Sequence, residues 1–389
     1  MINTSYQKQK PVSNVDKLEE PEENLNIKDS LKIKNLEKQK KEINILGAGI
    51  SGLVSGIILA ENGFQVKIFE KRSRIGSFFK KDIHSLRNYS YNYDVVQKYK
   101  ELGIKISNVY PIFREFRFSP SLEHIEIYSK DKPLFYNFIR GYKDKRSLDV
   151  QLFKQAKDYG VQIYFKQNVS LNNSNINIVA TGALHRKKIG YGYHCTGISM
   201  KKSSTIYIFL NNHSPYEYTY LLPFFDKQAT IAIVSSNLRE NKNHLKKRFS
   251  TLIKNNNIIK KILKNAKFEN EIFGFVSFDV PKTAVKKEKL YIGEAAGFLD
   301  ATTGFGIHYA ILSGYLAAES IIKNRDYDKL WKESFGEELK ARHFKRMRLQ
   351  KLRITGQEKI IEDLIKKYGS KISFDDYKKI KEDEINVKD

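Results

Sequence analysis

The chain has 389 residues, 41% hydrophobic and 12% aromatic, which is the make-up of a folded protein with one large core or two coupled ones and excludes a disordered chain. Its single cysteine, Cys195, excludes an intramolecular disulfide and a cysteine-built metal site. With 69 Lys and Arg against 44 Asp and Glu the formal charge is +25, open to two readings: compositional drift, or a basic face for an anionic membrane surface.

Residues 1–40 are polar and read as a disordered tail. The opening MINTSYQKQKPVSN lacks the apolar core of a signal peptide, and no apolar run reaches the roughly 18 residues of a membrane span, so the expected location is cytoplasmic. At Glu42 the pattern changes. EINILGAG reads as a buried strand, GISGLVSGIILAENG as a helix and FQVKIFEK as a second strand, the opening of a βαβ unit. EHIEIYSKDKPLFYNFI (123–139) alternates like antiparallel strands, LDVQLFKQAKDYGVQIYF (148–165) reads helix then strand, and NINIVATGA (175–183) strand then turn. Residues 187–240 are strand-rich, 243–265 helical, KLYIG a strand, 306–323 a helix, and the remainder helical and charged. The fold class expected is α/β: a doubly wound domain interrupted by a β-rich insertion.

GAGISG, Gly47 to Gly52, fits the dinucleotide loop G-x-G-x-x-G in its proper context between strand and helix. Gly47 permits the turn, Gly49 lets a pyrophosphate approach, and Gly52 lets the helix pack on the sheet. Ser51 lies in the helix N-terminus, whose field favours phosphate. Glu70 closes the second strand, followed by Lys71; its carboxylate suits ribose hydroxyls and repels a 2′-phosphate. NAD and FAD both fit such a loop. The choice falls to FAD because of LYIGEAAGFLDATTGFGIHYAILSG (290–314), where Gly293, Gly297, Gly304 and Gly306 sit between two apolar elements. Four glycines there read as backbone pressed against a flat or anionic ligand. Glu294 is placed for ribityl hydroxyls, and the main-chain N–H groups of Gly304, Phe305, Gly306 and Ile307 for a reduced flavin ring.

GAGISG with Glu70, the mid-chain NINIVATG and GEAAGFLDATTGFGIHYAILSG lie in the order of the glutathione-reductase-type FAD fold. The sequence resembles its p-hydroxybenzoate-hydroxylase branch, especially the geranylgeranyl reductase family, over about residues 42–325. That family's substrate signature, P-x-x-Y-x-W-x-F-P, is similar to PYEYTYLLP (215–223), in which Pro215, Tyr218 and Pro223 match, Tyr220 replaces the tryptophan and Leu222 the phenylalanine. Glu294 replaces the family's aspartate, Ala301 a proline, and Ala-Thr-Gly-Ala at 180–183 stands where related hydroxylases have Asp-Gly.

The resemblance implies a Rossmann-like FAD-binding domain, an inserted antiparallel β-sheet substrate domain and a helical C-terminus. The parts expected are a tail over 1–40, cofactor-domain segments over 41–110, 141–183 and 286–325, substrate-domain segments over 111–140 and 184–285, and a basic helical segment over 326–389. It implies FAD held also by Thr181, Gly182 and Arg146, the last at a helix start near the phosphates, where Ser147 or Asp149 serves as cap. It implies reduction of isoprenoid double bonds in a lipid, with Tyr218 and Tyr220 walling an apolar pocket and NAD(P)H or a ferredoxin-type donor as reductant.

Rival readings are a monooxygenase on the same fold and a non-redox flavin protein, such as a prenyl cyclase or a membrane-associated binding protein. A halogenase's Trp-x-Trp cannot be formed with Trp331 alone. Cys195 reads as a small buried hydrophobe rather than a nucleophile, and His194 and His308 as core or surface residues. No His or carboxylate cluster points to a metal. KARHFKRMRLQKLR (340–353), dense in Lys and Arg with no acid, reads equally as a solvated helix or as a membrane-surface contact for a lipid substrate. No nucleic-acid partner is expected, and oligomeric state is not readable.

Overall fold

The computed structural model describes residues 41–379 apart from 186, 201–203, 211–217 and 352–353. The tail 1–40 and Pro215 therefore lie outside the described residues.

The chain opens as its apolar pattern dictates. Strand β1 (Glu42–Leu46) runs into helix α1 (Ile50–Glu61) and returns as β2 (Gln65–Glu70), parallel to β1. There follow β3 (Asp82–Arg87), α2 (Val95–Glu101), β4 (Tyr110–Ile112), β5 (Arg114–Phe118), β6 (His124–Tyr128), β7 (Phe135–Arg140), α3 (Leu148–Asp158), β8 (Gln162–Phe165) and β9 (Ile178–Val179). The strand-rich stretch supplies β10 (Lys188–Thr196), β11 (Thr205–Leu210), β12 (Tyr218–Phe224) and β13 (Gln228–Ser235). Helices α4 (Lys242–Asn255) and α5 (Asn257–Ile262), then β14 (Lys267–Val276), β15 (Val285–Lys286) and β16 (Lys289–Tyr291), lead to α6 (Ile307–Ile322). The C-terminal segment is α7 (Tyr327–Trp331), a π-helical turn, α8 (Glu337–Lys351), α9 (Ile354–Tyr368) and β17 (Lys371–Ser373).

Three sheets organise these elements. A six-stranded sheet in the order β15-β16-β9-β1-β2-β8 is parallel except for β15 and forms the Rossmann-like domain with α1, α3 and α6. Its core includes Ile45, Leu53, Ile57, Ile68, Ile178 and Ile311, all fully buried. An eight-stranded sheet runs β14-β10-β13-β12-β11-β5-β6-β17, and a three-stranded sheet, β3-β7-β4, lies beside it.

The period of two in the strands decides what each face of the large sheet does. Tyr207, Phe209, Leu221, Ile231 and Ile233 face one core with Leu245 and Phe249 of α4. Their neighbours Ile206, Ile208, Tyr220, Leu222, Ala232 and Val234 line a cavity.

Within the alternating stretch 123–139, β6 is antiparallel to β5 and β7 antiparallel to β3 and β4. One detail differs from the sequence-level reading: the helical C-terminal segment includes a short strand, β17, which adds to the large sheet alongside β6. No helix among the described residues is long and apolar enough to cross a membrane.

Candidate functional site

One cavity of about 1130 Å³ extends from the β1–α1 turn, past the segment before α6, to the concave face of the large sheet and α9.

At the first turn, Gly47 has φ +106, and a Cβ there would stand 2.4 Å from the Ala180 carbonyl; a Cβ on Gly52 would meet the Gly47 carbonyl at 2.1 Å. Both positions need glycine for the chain's own packing. Gly49 does not. Its φ is −78, and the nearest described atom to an added Cβ is the Ala180 oxygen at 3.9 Å. It lines the cavity as the N-cap of α1, where no described side chain caps the helix and no acid occupies the first turn. The orphan N–H groups of that turn are open to an anion. Glu70 accepts from the Ala48 and Arg72 N–H groups, both at 2.9 Å, which fixes its carboxylate at the loop edge. Ser51, Lys71, Thr181 and Gly182 also line the cavity, and Thr181 Oγ1 is buried with no hydrogen-bond partner among the described residues.

The second loop corrects an expectation. Of its four glycines, three serve the protein itself. A Cβ on Gly293 (φ +57) would meet Ser51 Oγ at 2.8 Å, one on Gly297 (φ +87) Asp279 Cβ at 2.8 Å, and one on Gly306 Leu299 Cδ1 at 3.0 Å. Only Gly304 (φ +80) has an open approach, its nearest neighbour being Tyr218 Oη at 3.7 Å. Gly52 and Gly293 are not among the described residues lining the cavity; Glu294, Gly304, Phe305, Gly306 and Ile307 are. The N-terminus of α6, like that of α1, has neither a described side-chain cap nor an acid in its first turn.

Glu294 is half-buried, and its Oε1 accepts from the Ser277 N–H at 2.6 Å. Burial pushes its carboxyl up to about 7, against the pull of that N–H and of Arg140. Asp300, fully buried, holds the loop by accepting from the N–H groups of Thr302 (2.7 Å) and Thr303 (3.2 Å), and it pairs with buried Arg87. Arg87 and Arg342 hold its acid well below the carboxylate range despite burial. From the large sheet, Lys188 Nζ donates to the Thr302 carbonyl at 2.9 Å and Tyr218 Oη to the Thr303 carbonyl at 2.5 Å. Lys188 is 1% exposed and lines the cavity; burial makes its ammonium a far stronger acid than an ordinary lysine's, assisted by Arg346 and opposed by Asp300.

Arg146 is elsewhere. It pairs with Asp144 at 3.0 Å and Asp226 at 3.2 Å and is not among the described residues lining the cavity. Ser147 caps α3, accepting from the Val150 N–H at 3.2 Å. Arg140, at the end of β7, does line the cavity. Its Nε and Nη2 donate to Asp149 at 2.8 and 3.0 Å, and the Gly141 N–H donates to the same carboxylate at 2.8 Å.

Beyond the second loop the cavity is an apolar chamber of Ile206, Ile208, Leu210, Phe135, Ile361 and Leu364, with Tyr218 and Tyr220 in its wall. Among its described residues Arg117 pairs with Glu115, Nε–Oε1 at 2.7 Å and Nη2–Oε2 at 2.9 Å, backed by Tyr377. Pro223 is not among the described lining residues; its carbonyl accepts from Asn137. His308 bonds Tyr99 at 2.6 Å and stacks on Tyr91, so it is a core residue, and burial holds its imidazole neutral down to about 3. His194 and Cys195 are fully buried in β10, the thiol pushed up to about 12 by burial. No metal-ligating cluster exists among the described residues.

Open N-termini of two helices, an open glycine at each, a carboxylate at the end of β2 and an orphan threonine hydroxyl fit an elongated dinucleotide with negative charge at two points. The comparisons agree with that geometry. A family model described as an NAD(P)-binding Rossmann-like domain matches residues 45–105. An uncharacterized protein of Methanocaldococcus jannaschii is 31% identical over 170 residues, 41% of this chain and 42% of that protein, so the match spans about two fifths of the relative's length. Among solved structures, a geranylgeranyl bacteriochlorophyll reductase-like protein of Thermoplasma acidophilum superposes with TM-score 0.68 at 21% identity, covering 82% of this chain and 90% of that one. The FAD-dependent myxobacterial chondrochloren halogenase CndH gives 0.56 at 14% identity, covering 77% and 82%. The flavin-dependent brominase Bmp2 gives 0.54 at 15%, covering 75% and 82%. The chain has the fold of these proteins, with a Rossmann-like domain built on the six-stranded sheet.

Proposed function

We propose that the protein binds FAD and reduces carbon–carbon double bonds in the isoprenoid chain of a lipid. The observation that carries this reading is the continuity of one cavity from the open N-terminus of α1, past the open N-terminus of α6, into an apolar chamber. FAD, when bound, supplies two-electron hydride chemistry at its ring. Glu70 would hold the adenosine ribose, Gly49 to Ser51 the pyrophosphate, Glu294 the ribityl chain, and Gly304 to Ile307 the ring. Tyr218 and Tyr220 would present the chain to that ring, since aromatic walls offer apolar area with little entropy to lose. Lys188, held at the junction by the Thr302 carbonyl and acidified by burial, would be the proton source for the second hydrogen. NAD(P)H or a ferredoxin-type donor would supply the electrons.

The test is anaerobic. The photoreduced protein is mixed with a geranylgeranyl lipid and the flavin band followed at ~450 nm, where oxidised flavin absorbs. Reoxidation with product heavier by two hydrogens per double bond is the expected result. Reoxidation only on admitting air, with one oxygen atom entering the lipid, would mark a monooxygenase. Flavin retained without turnover by any donor would mark a binding protein.

A further inference from the structure

We infer that the outward face of α8, centred on Phe344 and Met347, docks on an anionic lipid bilayer and brings the mouth of the cavity to the bilayer surface. Phe344 is 68% exposed and Met347 49%, and their spacing puts them on one side of the helix. Exposed Lys340, Lys345, Arg348 and Lys351 lie around them. Lys340 is held by Glu337 at 2.6 Å, a solvent-exposed pairing that a lipid headgroup can exchange. Three other exposed aromatics, Phe268, Phe273 and Phe275 of β14, share their strand with exposed Glu269 and Glu271.

The combination selects the partner. A nucleic acid would engage the cations and leave Phe344 and Met347 in water. An anionic bilayer takes both, headgroups pairing with Lys and Arg while the two apolar side chains enter the interface. The cavity opens at the same element: Lys345 and Leu349 of α8 and Ile360 and Lys367 of α9 line it, and Lys345, Ile360 and Lys367 are exposed. A lipid tail therefore has a route from the bilayer, past the α8–α9 rim, into the apolar chamber. That last step rests on the proposed function; the docking does not.

The test is flotation of the full chain with vesicles of phosphatidylcholine alone or containing about 30% phosphatidylglycerol, at low and high salt. Expected are binding to the anionic vesicles only, weakening with salt, and a fall of about tenfold in partitioning for the Phe344→Ser/Met347→Ser double variant. Phe273→Ser, an exposed aromatic elsewhere, should bind as wild type, and all proteins should melt alike. Equal flotation of the double variant and wild type would overturn the proposal, as would no flotation of wild type. So would binding that heparin abolishes and the double substitution leaves unchanged, which would assign the cations to a soluble polyanion. Activity on detergent-dispersed lipid is independent of docking, so the proposed reaction stands or falls separately.

Discussion

The carbonyl of Ser51 leaves no room for a side chain at position 314: a Cβ on Gly314 would stand 2.5 Å from that oxygen. Ser51 belongs to the first turn of α1 and Gly314 to the middle of α6, so the two helices that point their open N-termini at the cavity are locked together at backbone distance. Gly314→Ala should destabilise the protein by about 1–3 kcal/mol through overpacking, less up to ~1 kcal/mol regained in helix propensity. It should also weaken flavin binding, because the two anion sites move apart. Thermal melting with and without added FAD checks both; an unchanged affinity would show that the helix spacing does not set the site.

Glu294 gives the apoprotein a pH dependence. Its folded carboxyl lies near 7 against 4.5 when free, so folding is favoured at low pH and that contribution is lost as pH rises from about 4.5 to 7. Glu294→Gln removes the penalty, and its amide oxygen can still accept from Ser277. The variant should match wild type near pH 4 and exceed it by about 2 kcal/mol above pH 7. Urea unfolding across that range reads the difference, and a constant offset would show that Glu294 does not titrate there.

Lys188→Met leaves the Thr302 carbonyl without this donor, at about 1–3 kcal/mol, but also removes a buried polar group, so the net change in stability should be small. The rate of anaerobic flavin reoxidation should fall about tenfold or more, the range of a lost acid. Stopped-flow kinetics of the variant, beside its melting curve, separates the two effects. A wild-type rate would relieve Lys188 of any part in proton supply.

Cys195 should be inert. With no exposure and its thiol pushed up to about 12, it should not react with a chromogenic disulfide at pH 8 until the protein is unfolded, when one thiol per chain should appear.

What could be read from sequence was what is local. GAGISG with Glu70 spells out its own turn, and the Glu70–Ala48 hydrogen bond follows from a loop and strand end close in sequence. The second loop was found for a partly different reason: Gly293, Gly297 and Gly306 are excluded from bearing side chains by Ser51, Asp279 and Leu299, contacts that exist only once the chain is folded. The place of Arg140 in the cavity wall was equally out of reach. The pairing of β7 with β3 brings Arg140 opposite Asp82 at the cavity, while Arg146 is taken up by Asp144 and the distant Asp226. Lys188 gives no signal in the sequence, because nothing nearby announces the Thr302 carbonyl that receives it. β17 is three residues long, too short for any period to show.

The most direct measurement is the identity and amount of nucleotide released by denaturing the purified protein after incubation with FAD and NAD together. One FAD per chain, with a visible spectrum altered by geranylgeranyl lipid, is the predicted result. NAD in its place, or no flavin retained at all, would contradict the account.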